Sequence, residues 1–228
     1  MKPRFLSTVL TMSSILMAGL TVKCVFDSRR NSCQAACDGN IFRAAFHLAN
    51  RKEFAFNVMS LKNADGRPKH SWRVAAIISA DNSFLNRYDL DESWGSDRNL
   101  RAASIAAAQF VCRNSQSHDS SMTNYAAVDD GGYRSIDRLG RDIFLKRSIP
   151  DCEASVLLVE IPGSNMLWTD PRDVSLRDIM SLGRGCDPLG IAVVLTNGSV
   201  LRLSQEAIVD LIEYDIRRGH GGKMNDRE

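Results

Sequence analysis

The stretch Ile191-Ala-Val-Val-Leu-Thr-Asn-Gly-Ser-Val-Leu-Arg-Leu203 decides the fold of this chain. Two runs that favour strands, the β-branched Ile191–Thr196 and the shorter apolar Ser199–Leu203, flank the dipeptide Asn197-Gly198. An Asn-Gly dipeptide between two such runs is the strongest short-range signal for a β-hairpin. The sequence therefore predicts an antiparallel hairpin with its turn at Asn197-Gly198.

Clear signals also lie on both sides of this hairpin. The β-branched content of Ser155–Ile161 predicts a strand, which Pro162 ends. Ser204 is a suitable N-cap for a helix over Gln205–Arg217, and Gly219 is a suitable stop. The predicted buried face of that helix consists of Ile208, Leu211, Ile212 and Ile216.

The middle of the chain has short apolar runs separated by polar turns. Ser71–Ser79 fits either a strand or a buried helical turn, because periodicity does not distinguish the two in a short segment. Asp129-Asp-Gly-Gly132 predicts a turn. The other predicted elements are helices over Asn82–Tyr88, Asp97–Gln109 and Asp173–Ser181, and strands over Phe110–Cys112 and Thr123–Val128.

The N-terminus carries an uncharged run from Phe5 to Val22, preceded by Lys2 and Arg4. Its length is at the lower limit for a helix that spans a bilayer. We expect residues 1–26 to form an uncleaved anchor that contacts membrane lipid through residues 5–22. A basic start before an apolar centre also fits a cleaved signal peptide, and a buried helix of a soluble protein is a third alternative. The first alternative predicts a single-pass inner-membrane protein with a periplasmic domain, and the second predicts a secreted protein.

An amphipathic helical pattern follows, from Asp27 to about Lys52. Joined to the apolar run, it would form one helix of about 45 residues, roughly 70 Å long. The outer half of that helix would pack on the domain or on other helices. Its apolar positions are Ala35, Ala36, Ile41, Phe42, Ala45, Phe46, Leu48 and Ala49.

The chain contains six cysteines, an even number that permits disulfides in an exported protein. Two of them, Cys33 and Cys37, lie four residues apart on one helix face, a poor geometry for bonding each other. No Cys-x2-Cys pair occurs and the histidines are scattered, so no metal site or other cofactor is predicted. The candidate disulfide cysteines are Cys33, Cys37, Cys112, Cys152 and Cys186, in a pairing that the sequence does not specify.

Charge and motif content argue against nucleic-acid binding and against catalysis. The net charge of +2 gives no strong field to attract nucleic acid, and the basic residues are scattered. His118-Asp119-Ser120 contains the residue types of a hydrolase triad, but adjacent residues do not easily reach triad geometry. No Gly-x-Ser-x-Gly elbow is present. We therefore predict a protein that is not an enzyme.

Two further groups of residues allow a structural or a binding role. The tryptophans Trp72, Trp94 and Trp168 fit anchors of the core or its rim, or alternatively a surface on which a ligand stacks. The acidic clusters at Asp129-Asp130 and Asp89–Glu92 fit turn residues, or alternatively calcium ligands, although neither matches an EF-hand loop.

The order of the elements predicts an α+β fold. A long helix comes first, then short strands and helices, then the hairpin and a closing helix. Strands paired by hairpins, with a helix on one face of the sheet, are typical of this class. We expect this domain to occupy residues 27–219 and a flexible tail to occupy residues 220–228.

Several motifs follow one another along the chain at compatible spacings. They are Asp65-Gly-Arg-Pro-Lys-His-Ser-Trp-Arg-Val74, Tyr88-Asp-Leu-Asp-Glu-Ser-Trp94 with Asp97 and Asn99, Thr123-Asn-Tyr-Ala126, Glu160, Trp168-Thr-Asp-Pro-Arg-Asp173 and Asn197-Gly-Ser-Val200. Together they resemble domain-of-unknown-function family 1559, whose members have a prepilin-like N-terminus and a C-terminal His-x9-Asp-Gly motif. The motif positions are Ser71, Trp72, Arg73, Tyr88, Trp94, Asn124, Tyr125, Glu160, Trp168, Pro171, Asp187, Asn197 and Gly198.

The resemblance implies a pilin-like fold, in which a long N-terminal helix packs on a small, mainly antiparallel sheet with a C-terminal hairpin and helix. It implies structural roles for the motif positions and, as partners, other pilin-like or secretion-system subunits. The chain departs from the family where the apolar run lacks Gly-Phe-Thr-Leu-x-Glu, where Asp187 replaces the His and where Asn197 replaces the Asp. It thus resembles a divergent member, and we predict a non-catalytic, membrane-anchored, pseudopilin-like envelope protein.

Overall fold

The computed structural model of the chain describes residues 34–106, 121–130, 133–139, 153–164, 166–182 and 190–221. Its α-helices are α1 (residues 34–50), α2 (Lys52–Ser60), α3 (Trp72–Ala80), α4 (Asp97–Ala106), α5 (Leu176–Ser181) and α6 (Gln205–Gly221). Its strands are β1 (Met122–Thr123), β2 (Tyr125–Ala126), β3 (Asp129–Asp130), β4 (Tyr133–Arg134), β5 (Val156–Glu160), β6 (Met166–Leu167), β7 (Ile191–Leu195) and β8 (Val200–Leu203). Short 3₁₀ helices occupy Asn82–Asn86 and Ser135–Arg138.

An antiparallel sheet in the order β2-β5-β7-β8 lies at the centre of the fold. Every residue of β5 and β7 is buried, so both faces of the sheet are covered. Two small antiparallel pairs, β1-β6 and β3-β4, lie outside this sheet. The mixture of helices with antiparallel sheets is that of the predicted α+β class.

Helices cover both faces of the sheet, whereas the sequence predicted a helix on one face. The core residues of α1 to α4 form one apolar cluster with Leu158 and Val194. Those of α5 and α6 form a second cluster with Val159 and Val193. Because side chains alternate along a strand, successive residues of β7 enter opposite clusters. An uninterrupted apolar strand such as β7 is the sequence sign of a sheet that is buried on both sides.

Strand β5 contains an irregularity that the sequence did not indicate. The register between β5 and β7 shifts between Val156 and Leu158. An extra residue of this kind breaks the two-residue alternation of the strand. As a result, Leu157 and Leu158 both enter the cluster on the side of α1, and Val156 enters the other one.

The predicted hairpin is confirmed, with a turn one residue longer than expected. The Leu195 N–H donates to Ser199 O (2.9 Å), and the Gly198 N–H donates to Leu195 O (2.9 Å). Gly198 has φ of +84°, in the left-handed region. This is a three-residue loop that ends in a left-handed glycine, the next most frequent hairpin type after two-residue loops.

The helix after the hairpin is confirmed at its start and runs past its predicted end. The Ser204 hydroxyl accepts from the Ala207 N–H (3.2 Å), and α6 begins at Gln205. It continues through Gly219 to Gly221, so the first two residues of the predicted tail are helical. Its buried apolar residues are Ile208, Val209 and Ile212, whereas Leu211 and Ile216 are half-buried.

Long-range contacts decided one open alternative and changed two of the weaker predictions. Of the two alternatives for Ser71–Ser79, the structure contains the helix, α3. Thr123–Val128 is not one strand, because β1 pairs with β6 and β2 pairs with β5 on either side of a break at Asn124. The helix predicted from Asp173 begins at Leu176, after Val174 has bridged to Val128. The predicted strand Phe110–Cys112 lies outside the described residues.

Helix α1 carries much of the predicted apolar stripe, and the stripe packs on the domain itself. Ala35 is exposed, contrary to the prediction. The buried apolar residues of α1 are Cys37, Ile41, Ala44, Ala45, Leu48 and Ala49, all in the cluster with α3 and the sheet. Among the described helices, none combines the length and the apolarity needed to cross a bilayer. The predicted span at residues 5–22 lies outside the described residues.

We expect Gly190→Ala to lower the free energy of unfolding more than Gly163→Ala. Both glycines have positive φ, +88° and +72°, so a side chain at either costs about 1–2 kcal/mol. At Gly190 a Cβ would also lie 2.8 Å from Leu203 O, a backbone atom of β8 that cannot rotate away, whereas Gly163 faces open space. Urea unfolding of the two variants measures the difference, and equal losses would contradict this packing.

Candidate functional site: a buried arginine cluster

The motif residues of α3 contact three later segments of the chain around one buried charge. The Arg73 side chain has no exposed surface. Its guanidinium donates to Tyr125 O (Nε, 2.7 Å), Ser71 Oγ (Nη1, 3.0 Å), Asp170 O (Nη1, 3.3 Å), Asp173 Oδ1 (Nη2, 3.3 Å) and Met166 Sδ (Nη2, 3.3 Å). One side chain thus joins α3 to β2, to β6 and to the loop before α5.

Asp173 is the counter-charge of Arg73. Its Oδ1 accepts from Trp72 Nε1 (2.9 Å) and from the Ala127 N–H (3.0 Å), as well as from Arg73. The Arg73 guanidinium also lies 4.6 Å from the centroid of the Trp72 ring, within range of a cation–π contact. Burial lowers the pKa of Arg73, and the carboxylates of Asp173 and Asp170 oppose that shift.

The N-cap of α3 positions Trp72 and Arg73 in the cluster. Ser71 is the N-cap of α3, and its hydroxyl accepts from the Arg73 N–H (3.1 Å) and from Arg73 Nη1. Trp72 and Arg73 are therefore the first two residues of a helix that is buried along almost its whole length. Arginine is a permanent cation and cannot serve as a base, so the arrangement is suited to holding segments together rather than to proton transfer.

A second cluster, around His70, joins the motif Asp65–Val74 to the motif Tyr88–Trp94. The Nε2 of His70 donates to Leu90 O (2.9 Å), so its Nδ1 accepts from the Tyr88 hydroxyl (2.9 Å) in the neutral ring. Burial lowers the pKa of His70, and it raises that of Tyr88. Asn99 holds the same loop, donating to Asp89 O and Ser93 O at 2.9 Å.

A third cluster attaches α1 to the sheet. Arg202 of β8 reaches Asp38 of α1 (Nη2 to Oδ1, 2.8 Å) and Glu160 of β5 (Nη1 to Oε2, 3.7 Å). The Tyr125 hydroxyl donates to Cys37 O (3.1 Å). Burial, followed by the charge of Glu160, raises the pKa of Tyr125 well above its usual range.

A fourth cluster attaches α6. Asp215 is buried, and it accepts from the Ser155 hydroxyl (2.8 Å) and the Tyr133 hydroxyl (2.9 Å). The half-exposed Arg138 and Arg218 lie 3.9 Å and 3.5 Å from its oxygens. Burial and the charge of Asp215 raise the pKa of Tyr133.

The remaining motif residues are mostly buried. Trp168 has no exposed surface and donates to Ala103 O (2.8 Å), whereas Trp94 is half-buried. Pro171 is half-buried as well. Asn124 donates to Ile161 O (3.5 Å), and Asn197 Oδ1 accepts from the Ser199 N–H (3.0 Å) in the hairpin loop. Trp72 and Trp168 are thus core anchors with bonded N–H groups. Asp187 lies outside the described residues.

The acidic clusters serve as turn and loop partners. Asp130 accepts from the Leu176 N–H (3.3 Å), and Asp129 lies 3.8 Å from Arg134. Asp89 pairs with Arg98 (2.9 Å). In the described part of the chain, no group of His, Cys, Asp and Glu residues has an arrangement that could hold a metal ion. The residues His118-Asp119-Ser120 lie outside it.

Cys37 is disulfide-bonded, and its partner lies outside the described residues. The other candidate disulfide cysteines, Cys33, Cys112, Cys152 and Cys186, also lie outside them. The sequence did not indicate that His70, Asp170 and Asp173 belong to these clusters, although all three occur in the quoted motifs. The sequence feature that could have indicated them is their position, since His70 directly precedes Ser71-Trp72-Arg73 and the two aspartates closely follow Trp168.

Comparison with known proteins gives no relative, since no family model, no curated protein and no solved structure matches the chain. The resemblance to family 1559 therefore stays a prediction. The contacts between motif residues are a finding that does not depend on this resemblance. Residues of separate motifs, Arg73 with Tyr125 and His70 with Tyr88, contact one another in the core.

We expect Asp173→Asn to lower the free energy of unfolding by about 3 kcal/mol, because it leaves the buried charge of Arg73 without its ion-pair partner. The matched control is Asp65→Asn, which removes an exposed ion pair with Arg67 and should cost less than about 1 kcal/mol. Replacing both cluster residues, as Arg73→Met with Asp173→Asn, should cost less than the sum of the single changes. Urea unfolding measures all four variants, and similar losses at Asp173 and Asp65 would refute the role of the buried pair.

We expect acid to destabilise the fold through His70. Its pKa in the folded chain is below the usual 6.5, so the unfolded chain binds more protons as the pH falls through that value. The contribution of His70 is therefore complete above pH 6.5 and is lost as the pH falls toward the lower folded pKa. NMR titration of the His70 ring checks the pKa, and stability curves of wild type and His70→Gln should converge on acidification. A folded-state pKa above 6.5 would overturn this reading.

Proposed function

We propose that the chain is a non-catalytic, membrane-anchored envelope protein of pseudopilin-like design. In this proposal residues 5–22 lie in the bilayer, and α1 carries the globular domain on the extracytoplasmic side. The domain contributes to anchoring or assembly through surface contacts with other subunits. The pilin-like part of the proposal is supported by the packing of α1 on an antiparallel sheet that ends in a hairpin and a C-terminal helix.

The observation that carries the proposal is the attachment of α1 to the domain. An anchor holds a domain firmly only if the segment between them is fixed to the domain. The apolar side of α1 is buried from Cys37 to Ala49, and Asp38 pairs with Arg202 on the sheet. A force applied at the start of α1 would therefore act on the core.

Two further observations support the proposal. The disulfide at Cys37 suits an oxidising compartment outside the cytoplasm. The charged motif residues are occupied by internal contacts, as Arg73 and Asp173 illustrate, which suits a structural role for them. The alternative is a secreted or periplasmic binding module with a cleaved signal peptide, which the hydroxyl residues in the run from Phe5 to Val22 favour.

Membrane fractionation in a bacterial host tests the anchor. We expect the full chain to stay with membranes after carbonate washing, and the chain without residues 5–22 to move to the soluble fraction, because an uncharged run of about 18 residues reaches the lower limit for a helix that spans a bilayer. A control variant, in which a Leu-Ala stretch of the same length replaces residues 5–22, should return to the membrane.

N-terminal sequencing of the mature protein separates the alternatives. An intact N-terminus at Met1 agrees with the anchor, and a start near Val22 agrees with secretion. Retention of the deletion variant in the washed membranes would contradict the proposed anchor.

A further inference from the structure

The outer side of α1 and the corner that joins it to α2 concentrate positive charge. Between residues 39 and 56 the chain has three cations, Arg43, Arg51 and Lys52, against one carboxylate, Glu53. Their net charge of +2 equals that of the whole chain, so the other residues together are neutral. Among the described residues, none of the three cations is in an ion pair, and Arg43 and Arg51 are exposed, whereas Lys52 is half-buried.

Aromatic rings accompany these cations. The Arg51 guanidinium lies 5.0 Å from the centroid of the Phe54 ring, and the Lys52 amine lies 5.5 Å from that of Phe56. Phe46, on the preceding helix, is half-buried like Phe54 and Phe56. Each ring packs against the core and keeps part of its surface in solvent. The surface is therefore basic and partly aromatic at once.

No carboxylate of α1 competes with the cations. Arg43 and His47 are one helical turn apart, on the side of α1 opposite to the buried Ile41. Burial and the neighbouring charge of Arg43 lower the pKa of His47, so His47 adds no charge at neutral pH. The acid of α1, Asp38, pairs with Arg202 of the sheet.

We propose that this basic-aromatic surface, formed by Arg43, Phe46, Arg51, Lys52 and Phe54, binds the anionic headgroups of a lipid bilayer. Basic side chains near a membrane are attracted to acidic lipids, and aromatic rings favour the interfacial region. The proposal rests on the proposed function, because a span at residues 5–22 would keep this surface close to lipid. Eleven residues, 23–33, separate that span from α1, and they reach at most about 40 Å.

Lys52 provides a local reporter for this contact. The full chain is reconstituted in vesicles of phosphatidylcholine alone, or of phosphatidylcholine with one-third phosphatidylglycerol, and its lysines are acetylated with a water-soluble amine reagent. Mass spectrometry gives the reaction rate of Lys52. We expect that rate to be at least about fivefold lower on the anionic vesicles, the effect of a single basic side chain near such a surface. Salt at about 1 M should remove the difference.

Substitutions test the surface directly. The double change Arg43→Glu with Arg51→Glu should abolish the protection of Lys52, and Arg43→Lys with Arg51→Lys should retain it. The control, Arg177→Glu, reverses an exposed charge on α5, across the sheet from α1, and should leave the protection unchanged. If the glutamate variant does not fold, the lysine variant and the salt dependence of the wild type still decide the question.

The outcomes separate this inference from the proposed function. Equal Lys52 rates on the two vesicle types, with the chain retained by both, would overturn the lipid contact and leave the anchor. Binding to anionic vesicles alone, with Lys52 protected, would support the contact and overturn the anchor, and no binding to either would overturn both. Protection that grows with protein density on either lipid would assign the surface to a second copy of the chain and overturn the lipid proposal.

Discussion

The positive charge of Arg73 is buried without exposed surface, and the rest of the fold has to accommodate it. A buried charge is tolerated only with an ion-pair partner and satisfied hydrogen bonds. Asp173 supplies the counter-charge, and backbone oxygens of Tyr125 and Asp170 supply further acceptors. These groups come from distant parts of the chain. The position of α3 therefore depends on the positions of β2 and of the loop before α5.

Buried or half-buried polar contacts also connect the other elements of the molecule. His70 with Tyr88 fixes the loop after α3, Asp38 with Arg202 fixes α1 on the sheet, and Asp215 fixes α6. Each of these contacts places a polar pair at the edge of an apolar layer, where unpaired groups would be costly. A domain attached in this way transmits load from its first helix into its core, which is the mechanical property that the proposed anchoring role needs.

The cations of the basic-aromatic surface differ from those of the buried clusters in their environment. Internal ion pairs occupy Arg73 and Arg202, whereas Arg43 and Arg51 face solvent in the described structure. Exposed cations contribute little to stability, so their concentration on one corner needs another physical explanation. Attraction to an anionic bilayer is such an explanation.

The sequence by itself determined the elements whose signals are local. Asn197-Gly198 marked the hairpin, Ser204 marked the start of α6, and the β-branched run marked β5, because turns, caps and strand preference depend on neighbouring residues. The sequence predicted structural roles for the motif residues, but it did not indicate which of them contact one another. Only the tertiary structure decided that Arg73 pairs with Asp173, that a bulge turns Leu157 and Leu158 to one side, and that helices cover both faces of the sheet. These features depend on contacts between residues far apart in the chain, about which a local pattern carries no information.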